Sequence, residues 1–373
     1  MDSTPAWVAK LRQWCLPVRG YIFVGVALFT AFCGSIFILF VLAPFVLLCP
    51  KIWRAVSDYM VGWWLTFPVI LLDLFYGIRF HVSGDTILSD APGLIIMNHR
   101  TRLDWLFLWP ALYKIDPWLL TSEKISLKRI LKLPPGVGWA MQCGSYMFLY
   151  RKWEKDKQML SDMIEYYKDL GYPYQILLFP EGTDMTTRTK GMCIKYANEN
   201  QLPQYEYVLH PRTTGFTFLA EKMRQSDYLD YLYDITISFQ DRIVQGEWEF
   251  FTGHCPTDIF FHVERYDARS LPRDEQGLAS FCRELWVEKE AVNPHAWPVK
   301  YRGSQKLGVW ISFFFWVCTT SVWIYFVFVL TAMRWYFFTA FTSFALLTYF
   351  VDGVDMLVLA LHKRRGRRRN LQE

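Results

Sequence analysis

From Tyr21 to Cys49 the chain runs 29 residues without a charged side chain. A helix needs about 20 such residues to cross the hydrocarbon core of a bilayer. The apolar core of a secretory signal is only about 7–15 residues long. The run therefore predicts a membrane anchor. A second apolar stretch, Met60 to Ile78, is interrupted by Asp73. It reads as a second span or as a re-entrant helix with Asp73 near the surface. Leu307 to Met333 gives another 27 uncharged residues, Arg334 marks a turn, and Trp335 to Leu361 continues with Asp352 and Asp355 embedded. These two arms predict a transmembrane hairpin.

Basic residues beside the spans set the expected orientation. Lys10, Arg12 and Arg19 precede the first run, and Lys363, Arg364, Arg365, Arg367, Arg368 and Arg369 follow the last. Both termini are expected in the cytosol, with the middle of the chain on the same side. The resulting organisation is a cytosolic segment 1–20, a membrane anchor 21–78, a catalytic domain 79–306, a transmembrane hairpin 307–361 and a basic tail 362–373. The net charge of +5 resides in that tail, because residues 363–373 hold six Lys/Arg against one Glu. The rest of the chain is neutral overall, which excludes a basic nucleic-acid-binding body. The eight cysteines include no C-x-x-C pair and no Asn-x-Ser/Thr sequon occurs. Reduced thiols and a cytosol-facing globular part follow from both.

Between residues 79 and 306 short apolar runs alternate with amphipathic stretches. Strand candidates are Leu94–Met97, Trp118–Leu120, Tyr146–Tyr150, Gln175–Phe179, Tyr207–Leu209, Asp234–Phe239 and Ile259–Val263. Met159, Met163, Tyr166, Tyr167 and Leu170 recur at helical spacing, as do Leu278, Phe281, Cys282, Leu285 and Trp286. This alternation predicts an α/β domain with a mixed or mostly parallel sheet and flanking helices. Chemistry in such a fold belongs in loops at strand ends.

No G-x-S-x-G elbow, H-E-x-x-H zinc motif, paired-Cys zinc spacing or Walker loop is present. Gly136-Val137-Gly138 lacks the third glycine of a dinucleotide loop and reads as a turn. Four polar segments remain. The first is Asn98-His99-Arg100-Thr101-Arg102-Leu103-Asp104, after the strand Leu94–Met97. A separation of five does not stack His99 and Asp104 on one helix face. It suits a loop histidine folding back on a helix-start carboxylate, which fixes the imidazole tautomer and leaves a general base. The plainer alternative is a first-turn acid serving the helix dipole. The second segment is Phe179-Pro180-Glu181-Gly182-Thr183, where Glu181 could hold a substrate hydroxyl and the Gly182 and Thr183 amides an anion. The others are Arg151-Lys152 after Tyr146–Tyr150, and His210-Pro211-Arg212-Thr213-Thr214-Gly215 after Val208-Leu209. Each follows a strand candidate, so all four can converge at one sheet edge. Lys124, Lys128, Arg129 and Lys132 form a basic stretch, either a phosphate-binding surface or a solvated helix face.

The order and spacing of His99-x4-Asp104, Arg151, Phe179-Pro180-Glu181-Gly182-Thr183 and Leu209-His210-Pro211 resemble the four blocks of the glycerolipid and lysophospholipid acyltransferases. The likeness covers about residues 60–300. Met97–Arg102, Gly138-Trp139-Ala140-Met141-Gln142 and Tyr205–Phe218 are similar to the lysocardiolipin acyltransferase branch. The resemblance implies the acyltransferase fold and an enzyme of the endoplasmic reticulum membrane moving a fatty acyl group from acyl-CoA to a lysophospholipid. It implies His99 as base, Asp104 as its orienter, and Arg151, Glu181, Gly182 and Thr183 as acceptor-binding. Pro211 would serve the acyl donor, and Lys124, Lys128, Arg129 and Lys132 the CoA phosphates. Acyl-CoA is a co-substrate, so no metal and no redox cofactor is expected; the partners are membrane lipids and not nucleic acid. Members that form phosphatidic acid carry an Arg after Glu-Gly-Thr, where this chain has Asp184. An anion there disfavours a small dianionic acceptor and favours lysocardiolipin or lysophosphatidylinositol. Phosphatidic-acid formation, CoA-independent transacylation, lipid hydrolysis and a non-enzymatic membrane scaffold are the competing readings.

Overall fold

The computed structural model describes residues 6–292, 297–298, 300–301 and 306–370. Helix α1 (Ala6–Gly34) opens the chain and passes into a π-helical turn at Ser35–Leu39. The 29-residue uncharged run is thus not one straight helix. Pro44 opens a further turn, Phe45–Leu48, and Pro50 starts α2 (Pro50–Tyr76). Proline cannot donate to the preceding turn, which suits Pro44 and Pro50 to these helix starts, while Pro17 and Pro68 are carried inside α1 and α2.

Next come β1 (Arg79–Gly84), β2 (Gly93–Met97), α3 (Asp104–Ile115) and β3 (Glu123–Lys128). They are followed by α4 (Val137–Cys143), β4 (Met147–Leu149), α5 (Trp153–Leu170), β5 (Gln175–Leu178) and α6 (Thr187–Glu199). The domain closes with α7 (Thr213–Gln225), β6 (Tyr231–Phe239), α8 (Glu247–Phe251), β7 (Asp258–Asp267) and α9 (Glu275–Ala291). The seven strands lie in the order β1-β7-β6-β2-β5-β3-β4. All neighbouring pairs are parallel except β6 with β7. The mostly parallel α/β sheet is as expected. β2 and β5 are wholly apolar but for Gly93 and Gln175, and every residue in them is buried. Central parallel strands covered on both faces read this way.

Two strand expectations are corrected. Trp118–Leu120 is not a strand: Asp116 Oδ1 accepts from the Trp118 amide at 3.0 Å, and Leu119–Ser122 follows as a short helix. The strand is β3, one turn later. Tyr207–Leu209 is a loop, because the Glu290 carboxylate takes the backbone N–H groups of Glu206, Tyr207 and Val208 at 2.7, 2.8 and 3.2 Å. Those amides are no longer available for a ladder.

α1 and α2 pack onto this domain. Asp58 on α2 is buried and accepts from Arg54 at 2.6 and 2.9 Å, from Lys124 Nζ of β3 at 2.6 Å and from Tyr174 Oη at 2.6 Å. Arg54 also reaches Ser145 Oγ and the Cys143 carbonyl at 2.5 Å each. Ser35 Oγ donates to the Gly136 carbonyl at 2.8 Å, and Tyr76 Oη to that of Phe250 at 3.0 Å.

Helices α10 (Lys306–Val329), α11 (Thr331–Phe350) and α12 (Val354–Asn370) end the chain. Pro17–Leu42, Pro50–Tyr76 and Leu307–Val329 are each long and apolar enough to cross a membrane. The expected second arm of the C-terminal hairpin is not one straight helix. It breaks at Asp352-Gly353, with φ of +61° and +107°, and α12 leaves at 68° to α11. Carboxylates inside a bilayer are costly, and here they are handed to the α/β domain. Asp355 pairs with buried Lys132 at 2.7 Å, and Asp352 with Arg129 at 2.6 Å. α12 then lies against α5, with His362 Nε2 3.0 Å from Asp169.

The Asp58 network predicts a strong asymmetry. Asp58→Ala leaves two buried cations without their carboxylate and should cost about 3–5 kcal/mol. Lys195→Ala, which removes an exposed pair with Glu199 at 3.8 Å, should cost about 0–1 kcal/mol. Thermal unfolding of both purified variants in detergent checks this contrast.

Candidate active site

β2, β4 and β5 are mutually aligned through parallel pairings, so their C-terminal ends open on one sheet edge. Asn98 closes β2 by pairing its side-chain amide with both backbone groups of Ile237, at 3.1 and 2.9 Å. The chain then turns sharply. His99 Nδ1 lies 3.0 Å from Asp104 Oδ2 at the start of α3. Asp104 is fully buried and also accepts from the Thr101 amide at 2.9 Å and from Thr101 Oγ1 at 3.0 Å. Thr101 Oγ1 in turn accepts from the Leu103 amide at 3.0 Å. The Thr-x-x-Asp spacing is that of a helix-start box. Both sequence readings of Asp104 therefore hold at once: it is a first-turn acid and the partner of the imidazole. An ionised carboxylate only accepts, so Nδ1 carries the proton and Nε2 keeps a lone pair.

The Phe179 ring stacks on His99 at 4.3 Å between centroids, and the Met185 amide donates to the His99 carbonyl at 3.0 Å. Residues 179–185 are thereby tied to the His99 loop. Gly182 has φ +72°, a region that a side chain disfavours. Its amide donates to the Phe179 carbonyl at 3.0 Å, so it closes the turn and is not presented to an anion as the sequence suggested. Arg151, itself at φ +59°, donates from Nη2 to the Gly182 carbonyl at 3.2 Å. Pro211 follows no strand, yet it reaches the same edge because the next amide, Arg212 N, donates to the Pro180 carbonyl at 2.7 Å. All four polar segments meet.

Glu181 is 2% exposed. Its Oε1 accepts from Trp286 Nε1 at 3.1 Å, and its Oε2 has no hydrogen-bond partner among the described residues. Burial pushes its carboxyl up to about 7, against the pull of the His99 ring, the Trp286 N–H and the His99 backbone N–H. Arg100, half-buried, donates to the Tyr207 carbonyl at 3.1 Å, and desolvation lowers its pKa. Thr183 sits on the rim, half-buried.

Two expectations are revised by these positions. Asp184 is buried and bound to Arg102 Nε at 3.2 Å, so its charge is neutralised rather than turned on a headgroup. The helix after it is capped by Thr186. Lys124 and Lys132 are inside, paired with Asp58 and Asp355, and do not form a surface with Lys128 and Arg129. Of that basic stretch only Lys128 and Arg129 are exposed, and Arg129 is taken up by Asp352. Trp286, read from the sequence only as part of an apolar helix face, joins the site, and Arg100 and Thr101, quoted only as members of the first segment, gain partners there. A cavity of about 570 Å³ lies between α2, β1, α3 and α10, lined by Ile70, Asp73, Lys114, Tyr113 and Val309 among others, and includes none of the residues around His99.

The chain matches the acyltransferase family model over residues 79–240 and the model of the acyltransferase C-terminus over 249–295. It is 45% identical over 272 residues to lysocardiolipin acyltransferase 1 of Danio rerio, covering 73% of this chain and 70% of that one. It is 42% identical over 285 residues to lysophosphatidylinositol acyltransferase 10 of Caenorhabditis elegans, covering 76% and 73%. The 1-acyl-sn-glycerol-3-phosphate acyltransferase 2 of Brassica oleracea is 29% identical over 254 residues, with 65% and 61% covered.

The chain belongs to the acyltransferase family.

In this acyltransferase the matched C-terminal region is the one that carries α9, and with it Trp286. The support around Asp104 makes Thr101 a sensitive position. Thr101→Val keeps the shape but deletes the hydroxyl that Asp104 and Leu103 both use. Acyltransferase turnover should fall about tenfold, equivalent to about 1.4 kcal/mol, while Thr101→Ser stays near wild type. Steady-state rates of the two purified variants check this.

Proposed function

We propose that this acyltransferase moves a fatty acyl group from acyl-CoA to a free hydroxyl of an anionic lysophospholipid, with lysocardiolipin or lysophosphatidylinositol as the acceptor class. The observation that carries the reading is the His99–Asp104 pair, 3.0 Å apart at the sheet edge where the other polar segments meet. In the step proposed, His99 Nε2 takes the proton of the acceptor hydroxyl as its oxygen bonds to the thioester carbonyl carbon. The C–S bond then breaks, and the imidazolium returns the proton to the CoA thiolate. Asp104 holds the tautomer and stabilises the imidazolium. A positioned base contributes about 10²–10⁴-fold. The thioester is already activated, so the reading requires no metal and no redox cofactor.

Arg151, Glu181 and Thr183 would meet the acceptor, with Gly182 shaping the turn that holds them, and Pro211 would border the donor. Of the basic stretch Lys128 stays the candidate for CoA phosphates, since Lys124 and Lys132 are buried in ion pairs and Arg129 is paired with Asp352. The acceptor class rests on the names of the two relatives at 45% and 42% identity. The membrane-crossing helices suit a lipid substrate whose chain stays in the bilayer. The basic flanks of the spans support an orientation with both termini and the catalytic edge facing the cytosol, and the family resemblance suggests the endoplasmic reticulum membrane.

Purified His99→Ala should lose about 10²–10⁴-fold in turnover with unchanged membrane insertion, and Asp104→Asn should also be severe. Near-normal transfer by His99→Ala would end the mechanism. A tag placed near residue 185 in sealed microsomes should be cleaved by added protease. Protection of that tag would put the site in the lumen.

A further inference from the structure

Helix α9 lies far along the chain from the polar segments, yet it touches two of them. Trp286 Nε1 donates to Glu181 Oε1 at 3.1 Å, and both side chains are buried. One turn on, Glu290 holds the amides of residues 206–208, whose Tyr207 carbonyl accepts from Arg100. Between them Lys289 pins the helix to β6 through Asp234 Oδ1 at 2.7 Å, the Ile235 carbonyl at 2.8 Å and Thr236 Oγ1 at 2.8 Å. The helix is a brace of fixed position, and its one contact with a carboxyl group at the site is the Trp286 N–H.

Glu181 has two oxygens and one side-chain donor, Trp286. Oε1 is occupied by the indole, while Oε2 is buried without a partner among the described residues. An orphaned buried carboxylate oxygen is costly. A substrate donor reaching it would remove that cost, and the neighbours are arranged for one: the His99 ring lies close enough to lower the Glu181 pKa, and Arg151 binds the next carbonyl. We infer that Trp286 is a positioning residue, whose N–H holds Glu181 with Oε2 free to accept a hydroxyl of the lysophospholipid beside His99. This rests on the acyl-transfer reading above and adds a residue and an atom to it.

The charged and titratable groups around Glu181 are His99, Asp104 and Arg100 from the β2–α3 loop. Arg151 and Arg212 stand at the Gly182 turn, and Lys289, with its partner Asp234, lies beside the Trp286 ring. Among side chains Trp286 is the one that donates a neutral N–H to Glu181; that indole N–H, like the His99 backbone N–H, favours the ionised carboxylate, the accepting form. Its loss raises the Glu181 pKa. The sign follows: the acid limb of the kcat/KM profile moves to higher pH, the rate at pH 7 falls and the rate returns as pH rises.

The test replaces Trp286 with benzothienylalanine, which keeps the ring shape and exchanges N–H for sulfur, and with phenylalanine as a second variant. Acyl transfer to a lysophospholipid in mixed micelles is followed from pH 5.5 to 9 in the full-length protein. The expected result is an upward displacement of the acid limb by about half to one pH unit, or three- to tenfold in kcat/KM at its foot. In the Glu181→Gln background the same replacement should leave the limb where it is. A profile lowered evenly at all pH values, or an equal displacement in the Glu181→Gln background, would overturn the assignment. The His99→Ala protein, run alongside, separates this from failure of the general-base reading: if it transfers acyl groups normally, the reading fails whatever the Trp286 variants do.

Discussion

Asp58 is the point at which the apolar helices and the α/β sheet become one structure. It stands on a helix long enough to cross a membrane, yet it is buried and takes hydrogen bonds from Arg54, Lys124 and Tyr174. Taking these charges out of water is expensive, and only close, fully bonded geometry offsets the cost. Burial pulls the Lys124 ammonium pKa down while Asp58 pushes it up, and burial wins. The result is specific. Lys124 is in β3, whose neighbour β5 leads directly into Glu181. A second weld of the same kind, Lys132 with Asp355, returns the C-terminal helix to the domain. Two ion pairs thus hold the sheet against the helices that would sit in lipid.

That attachment has a consequence for chemistry on lipids. The His99 loop, the Glu181 turn and the Arg212 segment are bound to one another by backbone bonds such as Met185 N to the His99 carbonyl and Arg212 N to the Pro180 carbonyl. The reacting groups therefore depend little on flexible side chains for their relative placement. Asp104 illustrates how: three hydrogen bonds to one buried carboxylate leave the imidazole a single orientation. Arg102 and Asp184 neutralise each other at the rim, so position 184 contributes a brace rather than a free charge.

Much of this was legible in the sequence, and the failures have identifiable physical causes. β2 and β5 are apolar and short, and polar turns follow them, so strand and site were read together. β3 was missed because it carries Lys124, a charge tolerated in a buried strand only through a carboxylate 66 residues earlier. Tyr207–Leu209 has strand composition, but Glu290 consumes its amides from a helix more than 80 residues away. Trp286 repeats with Leu278, Cys282 and Leu285 as an apolar face, and nothing local distinguishes its N–H from that of any core tryptophan. Its partner lies 105 residues away. Periodicity reports which face is buried; it does not report which buried polar atoms find each other.

The central claim is group transfer from a thioester to a lysophospholipid at this edge. Its most direct measurement supplies the purified protein, in nanodiscs, with acyl-CoA labelled in the acyl chain and a mixture of lysophospholipids, followed by mass spectrometry. Label is expected in newly formed phospholipid, chiefly from lysocardiolipin or lysophosphatidylinositol, with one free CoA released per acyl group moved. Label accumulating as free fatty acid, or phospholipid formed at the same rate without acyl-CoA, would contradict it.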